Sequence, residues 1–212
     1  MAEHRVFLAS RNRKKIEEME RILREHAPDV VVVGLDDVPA YDEPVEDQPS
    51  FEGNALLKAR AGLAATGLPS LADDSGLCVD ALNGMPGVLS ARWAGQPGAA
   101  DKDDLNNRLL LAQLADVPDA RRSAHFECAV AFARPGPDGT AAEIVVHGRM
   151  SGRVIREPRG EGGFGYDVLF VADEHQHPER TSAELTPREK DAISHRGRAL
   201  REIAPLVAAT FR

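Results

Sequence analysis

The clearest pattern in this chain is a run of alternating apolar and polar residues near position 130. The apolar members are Ala124, Phe126, Cys128, Val130 and Phe132. Alternation with a period of two predicts a half-buried β-strand. A turn from Arg134 to Gly139 and a second apolar segment around Ala142 to Val146 follow, so the sequence predicts a long antiparallel hairpin. We interpret His125 and His147, which lie on this hairpin, as surface or cross-strand residues rather than metal ligands.

The rest of the chain alternates between short apolar runs and segments with helical spacing. The strands that we predict are Val6 to Ala9, Val30 to Leu35, Leu71-Ala72 and Val168 to Val171. The helices that we predict are a segment from Lys14, capped by Ser10 or Asn12, and the segments Phe51 to Ala65, Asp101 to Leu114 and much of Pro187 to Phe211. In the last helix we expect Leu200, Ile203, Leu206 and Val207 to face inward.

The composition and net charge limit the classes of protein to which this chain can belong. The 212 residues suffice for one domain or for one core with two lobes. A net charge of −8 argues against a nucleic acid polymer as partner, because binding to such a polymer depends on phosphate neutralisation. No segment has membrane-spanning length, and the first apolar run is short for a signal peptide. Cys78 and Cys128 indicate reduced thiols, which are typical of a cytoplasmic protein.

Two adjacent aspartates, Asp73 and Asp74, follow Leu71-Ala72 and precede Ser75-Gly76. Buried carboxylates persist when they are paired or coordinated. Oxygen donors on a glycine-containing turn suit a hard cation such as Mg²⁺. The same residues are typical of a turn that caps the next element. The pattern leaves both interpretations open, with the cation site placed at the C-terminal end of a short strand.

The start of the first predicted helix offers a candidate phosphate site. Backbone N–H groups and the positive end of the helix dipole would lie beside Lys14 and Lys15. A solvated basic helix start is the alternative. Near the other end of the chain, His195 and Arg196 could donate hydrogen bonds to a heterocycle or form a charged helix junction.

The segment Gly160 to Gly165 matches G-x-G-x-x-G, but no strand leads into it and no helix opens on it. We therefore interpret it as a flexible glycine loop that presents Phe164, Tyr166 and Asp167. Aromatic side chains on such a loop could stack on a base or anchor the loop to the core. We interpret the segment containing His175 and His177 as a polar loop.

Six motifs in this order resemble those of the inosine/xanthosine triphosphate pyrophosphatase family, and the resemblance covers nearly the whole chain. The motifs are Ser10-x-Asn12-x-x-Lys15, Phe51-x-x-Asn54-Ala55-x-x-Lys58-Ala59, Ala72-Asp73-Asp74-Ser75-Gly76-Leu77, Gly84-x-Pro86-Gly87-x-x-Ser90-Ala91-Arg92, Gly163-Phe164-Gly165-Tyr166-Asp167 and Ser194-His195-Arg196.

The resemblance implies an α/β fold with a long mixed central sheet, flanking helices and two lobes enclosing a nucleotide cleft, all in one domain over residues 1–212. It also implies a homodimer that uses Mg²⁺ to hydrolyse dITP, ITP and XTP to the monophosphate and pyrophosphate. Two alternatives are a pyrophosphatase for pyrimidine or canonical nucleotides and a non-catalytic sensor of purine nucleotides.

The resemblance also assigns roles to individual residues. Asp74 would be the catalytic residue and a metal ligand, and Glu46 matches a second metal-binding carboxylate. The residues that would bind the nucleotide are Ser10, Arg11, Asn12, Arg13, Lys14, Lys15, Ser75, Phe164, Gly165, Tyr166, Asp167, Lys190, His195 and Arg196.

Overall fold

The computed structural model describes residues 4–95, 100–175 and 179–211. The residues around His177, which we predicted to form a polar loop, lie outside these ranges. The strands are β1 His4–Leu8, β2 Val30–Val33, β3 Ser70–Val79, β4 Ser123–Pro135, β5 Ala141–Val154 and β6 Phe170–Ala172. The helices are α1 Arg13–His26, α2 Phe51–Thr66, α3 Lys102–Gln113, α4 Pro187–Ile193 and α5 His195–Ala209.

The six strands form one sheet in the order β2-β1-β3-β4-β5-β6. Strand β1 pairs in parallel with both β2 and β3, whereas β5 and β6 are antiparallel. Strands β4 and β5 are neighbours joined by a short loop, and such a loop can connect only antiparallel strands. The predicted α/β class with a mixed sheet and flanking helices is therefore confirmed, as is the long hairpin.

Two compact units make up the chain, and neither is a continuous segment. The first unit comprises residues 1–74, 128–148 and 196–212, and the second comprises residues 75–127 and 149–195. Each unit has its own apolar core. No helix among the described residues is long and apolar enough to cross a membrane.

Helices α1 and α5 supply much of the apolar core of the first unit. Met19, Ile22 and Leu23 of α1 are buried with Leu200 and Ile203 of α5. Our prediction that Leu206 faces inward is wrong, because its side chain is 42% exposed. Leu206 lies at the edge of the apolar stripe of α5 rather than within it.

The main correction to the sequence analysis concerns β3. We predicted a short strand at Leu71-Ala72 with both aspartates after its end, but β3 continues to Val79. Asp73 and Asp74 are therefore interior residues of a ten-residue strand. Gly76 permits this continuation, because a Cβ atom there would lie 2.4 Å from the Gly87 carbonyl oxygen and from Ser90 Oγ.

Both cysteines are free and buried. Burial raises the pKa of the Cys78 thiol to about 11, and it raises that of Cys128 to about 12. Both thiols are therefore protonated near neutral pH, so neither is activated as a nucleophile.

Candidate functional site

The first unit holds a cluster of charged side chains around β3 and the N-terminus of α1. Asn12 caps α1, since its Oδ1 accepts a hydrogen bond from the backbone N–H of Lys15 at 3.3 Å. The first turn of α1 contains Arg13, Lys14 and Lys15 but no acidic residue. Side-chain charge and helix dipole therefore make this end of α1 positive. Nearby, the exposed Arg11 forms an ion pair with Glu43.

Asp73 lies at the centre of a buried ion-pair network. Its Oδ2 is 3.1 Å from Lys15 Nζ and accepts hydrogen bonds from Nε and Nη2 of Arg196 at 3.2 and 3.1 Å. Arg196 Nη1 donates to Glu18 Oε2 at 2.5 Å. Burial by itself would raise the pKa of Asp73, but Lys15, Arg196 and Lys58 outweigh burial and lower this pKa well below its ordinary value. Asp73 is therefore ionised throughout the neutral range.

Asp74 has a different environment from that of Asp73. Its Oδ2 accepts a hydrogen bond from Asn54 Nδ2 at 2.9 Å, and its Oδ1 is 4.0 Å from Lys58 Nζ. Burial raises the pKa of Asp74, and the nearby charge of Glu46 raises it further, although Lys58 and Lys15 lower it. The net direction is upward, so Asp74 is more basic than an ordinary aspartate.

Glu46 and Asp74 fit the metal site that the resemblance implies. The Lys58 ammonium lies 2.5 Å from Glu46 Oε1 and 4.0 Å from Asp74 Oδ1, so one cation already contacts both carboxylates. Burial would lower the pKa of Lys58, but Asp73, Asp74 and Glu46 raise it overall. Mg²⁺ usually takes one or two protein carboxylates together with phosphate oxygens and waters. This pair of carboxylates meets that requirement.

The second unit holds a separate cluster of predicted site residues. Lys190 Nζ is 2.7 Å from Asp167 Oδ2 and 4.9 Å from the centroid of the Phe164 ring. The same Asp167 oxygen accepts a hydrogen bond from the Phe164 backbone N–H at 2.9 Å. Gly163 has φ +68°, and a Cβ atom there would lie 2.2 Å from Asp167 Oδ2. This loop conformation therefore depends on glycine.

Hydrogen bonds fix the loop that carries these residues. The backbone N–H of Gly165 donates to Asp103 Oδ2 at 2.8 Å, and its carbonyl accepts from Asn107 Nδ2 at 2.9 Å. Tyr166 is 4% exposed, and its hydroxyl donates to the Ser90 carbonyl at 2.9 Å. Of the two roles that we considered for the aromatic residues, anchoring therefore applies to Tyr166. Phe164 is half-buried.

His195 and Arg196 are neighbours in sequence but have different surroundings. The ring of His195 is buried and stacks on Phe126, with the centroids 4.9 Å apart. The guanidinium of Arg196 contacts Asp73 and Glu18, as described above. These contacts favour a positioning role for Arg196, and binding of a base by either residue stays a prediction.

The predicted site lacked several residues of these clusters, including Asn54, Lys58 and Glu18. Asn54 is fully buried, and its Oδ1 accepts a hydrogen bond from the backbone N–H of Gln48 while its Nδ2 donates to Asp74. Asn54 and Lys58 are one helical turn apart, which indicated a shared face. Glu18 lies three residues after Lys15 and four before the buried Ile22, so helical spacing could have identified it as part of the inner face of α1.

The fold and the charged clusters define an α/β protein in which paired carboxylates, lysines and a helix N-terminus could bind a metal-complexed polyanion. Comparison with known proteins narrows this class. The model of the Ham1 family matches residues 6–206, so this chain belongs to the Ham1 family.

The relatives of the chain match it over nearly their whole length. A dITP/XTP pyrophosphatase of Nocardia farcinica is 60% identical over 206 residues, which cover 97% of this chain and 95% of that protein. The crystal structure of a nucleoside-triphosphatase, dITP/XTP pyrophosphatase, from Mycobacterium abscessus is 53% identical and has a TM-score of 0.72, with 95% of this chain and 99% of that chain covered. A HAM1 protein structure from Coxiella burnetii is 40% identical with a TM-score of 0.79, covering 97% and 98% of the two chains.

Proposed function

We propose that this protein hydrolyses non-canonical purine nucleoside triphosphates, such as dITP, ITP and XTP, to the monophosphate and pyrophosphate. The observation that carries the proposal is the contrast between the two adjacent aspartates. Asp73 is held ionised by Lys15 and Arg196, whereas burial raises the pKa of Asp74 in spite of the nearby Lys58. The names of relatives that are 50–60% identical support the same activity.

Charge neutralisation is the main requirement of this reaction, because a triphosphate carries about four negative charges. Lys15, Lys58 and the N–H groups at the start of α1 would bind phosphate oxygens. The Asp74 carboxylate would accept a proton from a water molecule as the water oxygen attacks the α-phosphorus. The bond from the α-phosphorus to the bridging oxygen then breaks, and pyrophosphate leaves. When bound by Asp74 and Glu46, Mg²⁺ would neutralise further phosphate charge.

Base selectivity would depend on His195, one of the residues that the resemblance assigns to nucleotide binding. Inosine and xanthosine carry an oxygen at C6, which accepts a hydrogen bond, whereas adenine carries an amino group, which donates one. His195 could donate to that oxygen, and an unpaired buried donor costs about 1–3 kcal/mol. We expect His195→Ala to narrow the preference for ITP over ATP in kcat/KM. An unchanged ratio would remove His195 from base recognition.

Pyrophosphate release across a panel of nucleotides, with and without Mg²⁺, tests the proposed function. The panel contains dITP, ITP, XTP, ATP, dUTP and TTP. We expect Mg²⁺-dependent pyrophosphate release that is fastest with dITP, ITP or XTP. Faster turnover of dUTP or TTP would favour the pyrimidine alternative. Tight purine-nucleotide binding without pyrophosphate release would favour the sensor.

A further inference from the structure

A second group of possible metal ligands lies in the second unit, on neighbouring strands. Cys78 is in β3, and His125 and Glu127 are two residues apart in β4, so their side chains point to the same face of that strand. One ligand atom from each of the three residues lies within 4.8 Å of the other two. Among the described residues, this is the group of three or more His, Cys, Asp and Glu side chains that meets the distance requirement for a metal ion.

The spacing within this group approaches that of a zinc site. His125 Nε2 is 3.7 Å from Glu127 Oε2. In a tetrahedral zinc site, nitrogen and oxygen ligands about 2.0–2.1 Å from the metal are roughly 3.4 Å from each other. The Glu127 side chain is 37% exposed, so it can rotate to close the remaining gap.

The ring of His125 gives a second, independent indication of a ligand. Its Nδ1 is buried and has no hydrogen-bond partner among the described residues, while its Nε2 faces Glu127 without a hydrogen bond of normal length. A buried ring nitrogen without a partner is unfavourable. A metal ion bound through Nδ1 would satisfy that buried atom, whereas one bound through Nε2 would be shared with Glu127, and either would fix the orientation of the ring.

The chemistry of the three ligands selects the kind of metal. Thiolate and imidazole favour Zn²⁺ and similar transition metals, whereas Mg²⁺ prefers oxygen ligands. Binding would displace the Cys78 thiol proton, after which thiolate and carboxylate together balance a divalent charge. The positive charge of Arg149 and the negative charge of Asp80 both lie near His125 and act on it in opposite directions. In contrast to our interpretation of His125 from the sequence, we propose that Cys78, His125 and Glu127 bind one Zn²⁺ or related transition-metal ion and thereby cross-link β3 to β4.

Cobalt titration of the full, tag-free chain tests this proposal, because Co²⁺ reports thiolate coordination through a charge-transfer absorption. We expect one equivalent of Co²⁺ to bind with this absorption and to be displaced by Zn²⁺ but not by excess Mg²⁺. Cys78→Ser and His125→Gln should abolish the absorption. His147→Gln is the matched control, because His147 is an exposed histidine that contacts Glu52, and it should leave the absorption unchanged. Absence of the absorption in the unsubstituted chain, or its persistence in Cys78→Ser, would overturn the proposal.

A second measurement avoids substitutions that could impair folding. The unsubstituted chain is alkylated with iodoacetamide in the presence and absence of Zn²⁺, and each cysteine-containing peptide is quantified by mass spectrometry. Zn²⁺ should slow the labelling of Cys78 and leave that of the fully buried Cys128 unchanged. Equal labelling of Cys78 under both conditions would contradict the proposed site. Neither measurement uses a nucleotide, so its outcome is independent of the proposed hydrolysis.

Discussion

At the scale of single residues, the alternation of a β-strand separates two neighbouring carboxylates. Side chains of successive residues in β3 point to opposite faces of the sheet. Asp73 therefore meets Lys15 and Arg196, while Asp74 meets Asn54 and Lys58. We propose a positioning role for Asp73 and a catalytic role for Asp74.

Asp73→Asn should destabilise the fold, because it removes the buried carboxylate that pairs with the partly buried Lys15 and the buried Arg196. Breaking such a buried pair costs about 3–5 kcal/mol, measurable by urea unfolding at pH 7. The pKa of Asp73 is lowered in the folded state, so its contribution to stability is present above its ordinary pKa of 3.8 and decreases as pH falls below that value. The difference between variant and unsubstituted chain should therefore shrink in acid. Asp29→Asn, which removes the same charge at an exposed position, is the control.

Asp74→Asn, unlike Asp73→Asn, should not destabilise the fold. The pKa of Asp74 is raised in the folded state, so ionisation opposes folding once pH rises above its ordinary value. Asparagine removes that cost, and we expect a melting temperature at pH 7 that equals or exceeds that of the unsubstituted chain. Turnover of dITP should fall about 100-fold or more, because the proton acceptor is lost. A destabilised variant, or one with near-normal turnover, would contradict the assignment of Asp74.

At the scale of elements, periodicity predicted most helices and strands. The helical spacing in α1, α2 and α3 reflects a single buried face, so local sequence is sufficient. The alternation also predicted β4, but the expectation of a half-buried strand is wrong from Cys128 to Ala133, where both faces of the strand are buried. Strand β3 differs, because aspartate, serine and glycine disfavour strands and favour turns. The strand nevertheless continues through these residues, with β1 paired at its start, at Ser70 and Leu71, and β4 as its neighbour on the other side.

The sequence allowed us to propose which residues form the candidate site, but it did not allow us to predict which of these residues contact each other. The motifs predicted Asp74, Lys15 and Arg196 as members of the candidate site, but they did not predict that Arg196 lies against Asp73, 123 residues away in sequence. Likewise, Asn54 reaches Asp74 across 20 residues. Such pairings depend on how elements pack, and no local pattern in one sequence encodes them.

Gly76→Ala tests how closely β3 packs against the segment that follows it. The added methyl group would lie 2.4 Å from the backbone oxygen of Gly87, which cannot move as a side chain can. We expect a loss of about 1–3 kcal/mol in the free energy of unfolding. Gly34→Ala is the matched control, because its Cβ would lie no closer than 3.6 Å to a neighbouring atom and its φ is −91°. Equal stabilities of the two variants would contradict this account of Gly76.

At the scale of the whole molecule, the two units share continuous strands. Strands β3, β4 and β5 each begin among the residues of one unit and end among those of the other. Unfolding of either unit would therefore interrupt three strands that continue into the other unit. This arrangement favours cooperative unfolding.

Differential scanning calorimetry of the full chain tests this cooperativity. We expect one transition whose calorimetric enthalpy equals the van't Hoff enthalpy. The reason is that unfolding of one unit interrupts three strands that continue into the other. Asp73→Asn, in the first unit, and Gly76→Ala, in the second, should each shift the whole transition to lower temperature without splitting it. Two resolved transitions, with each variant moving a different one, would instead show that the units unfold independently despite the strands they share.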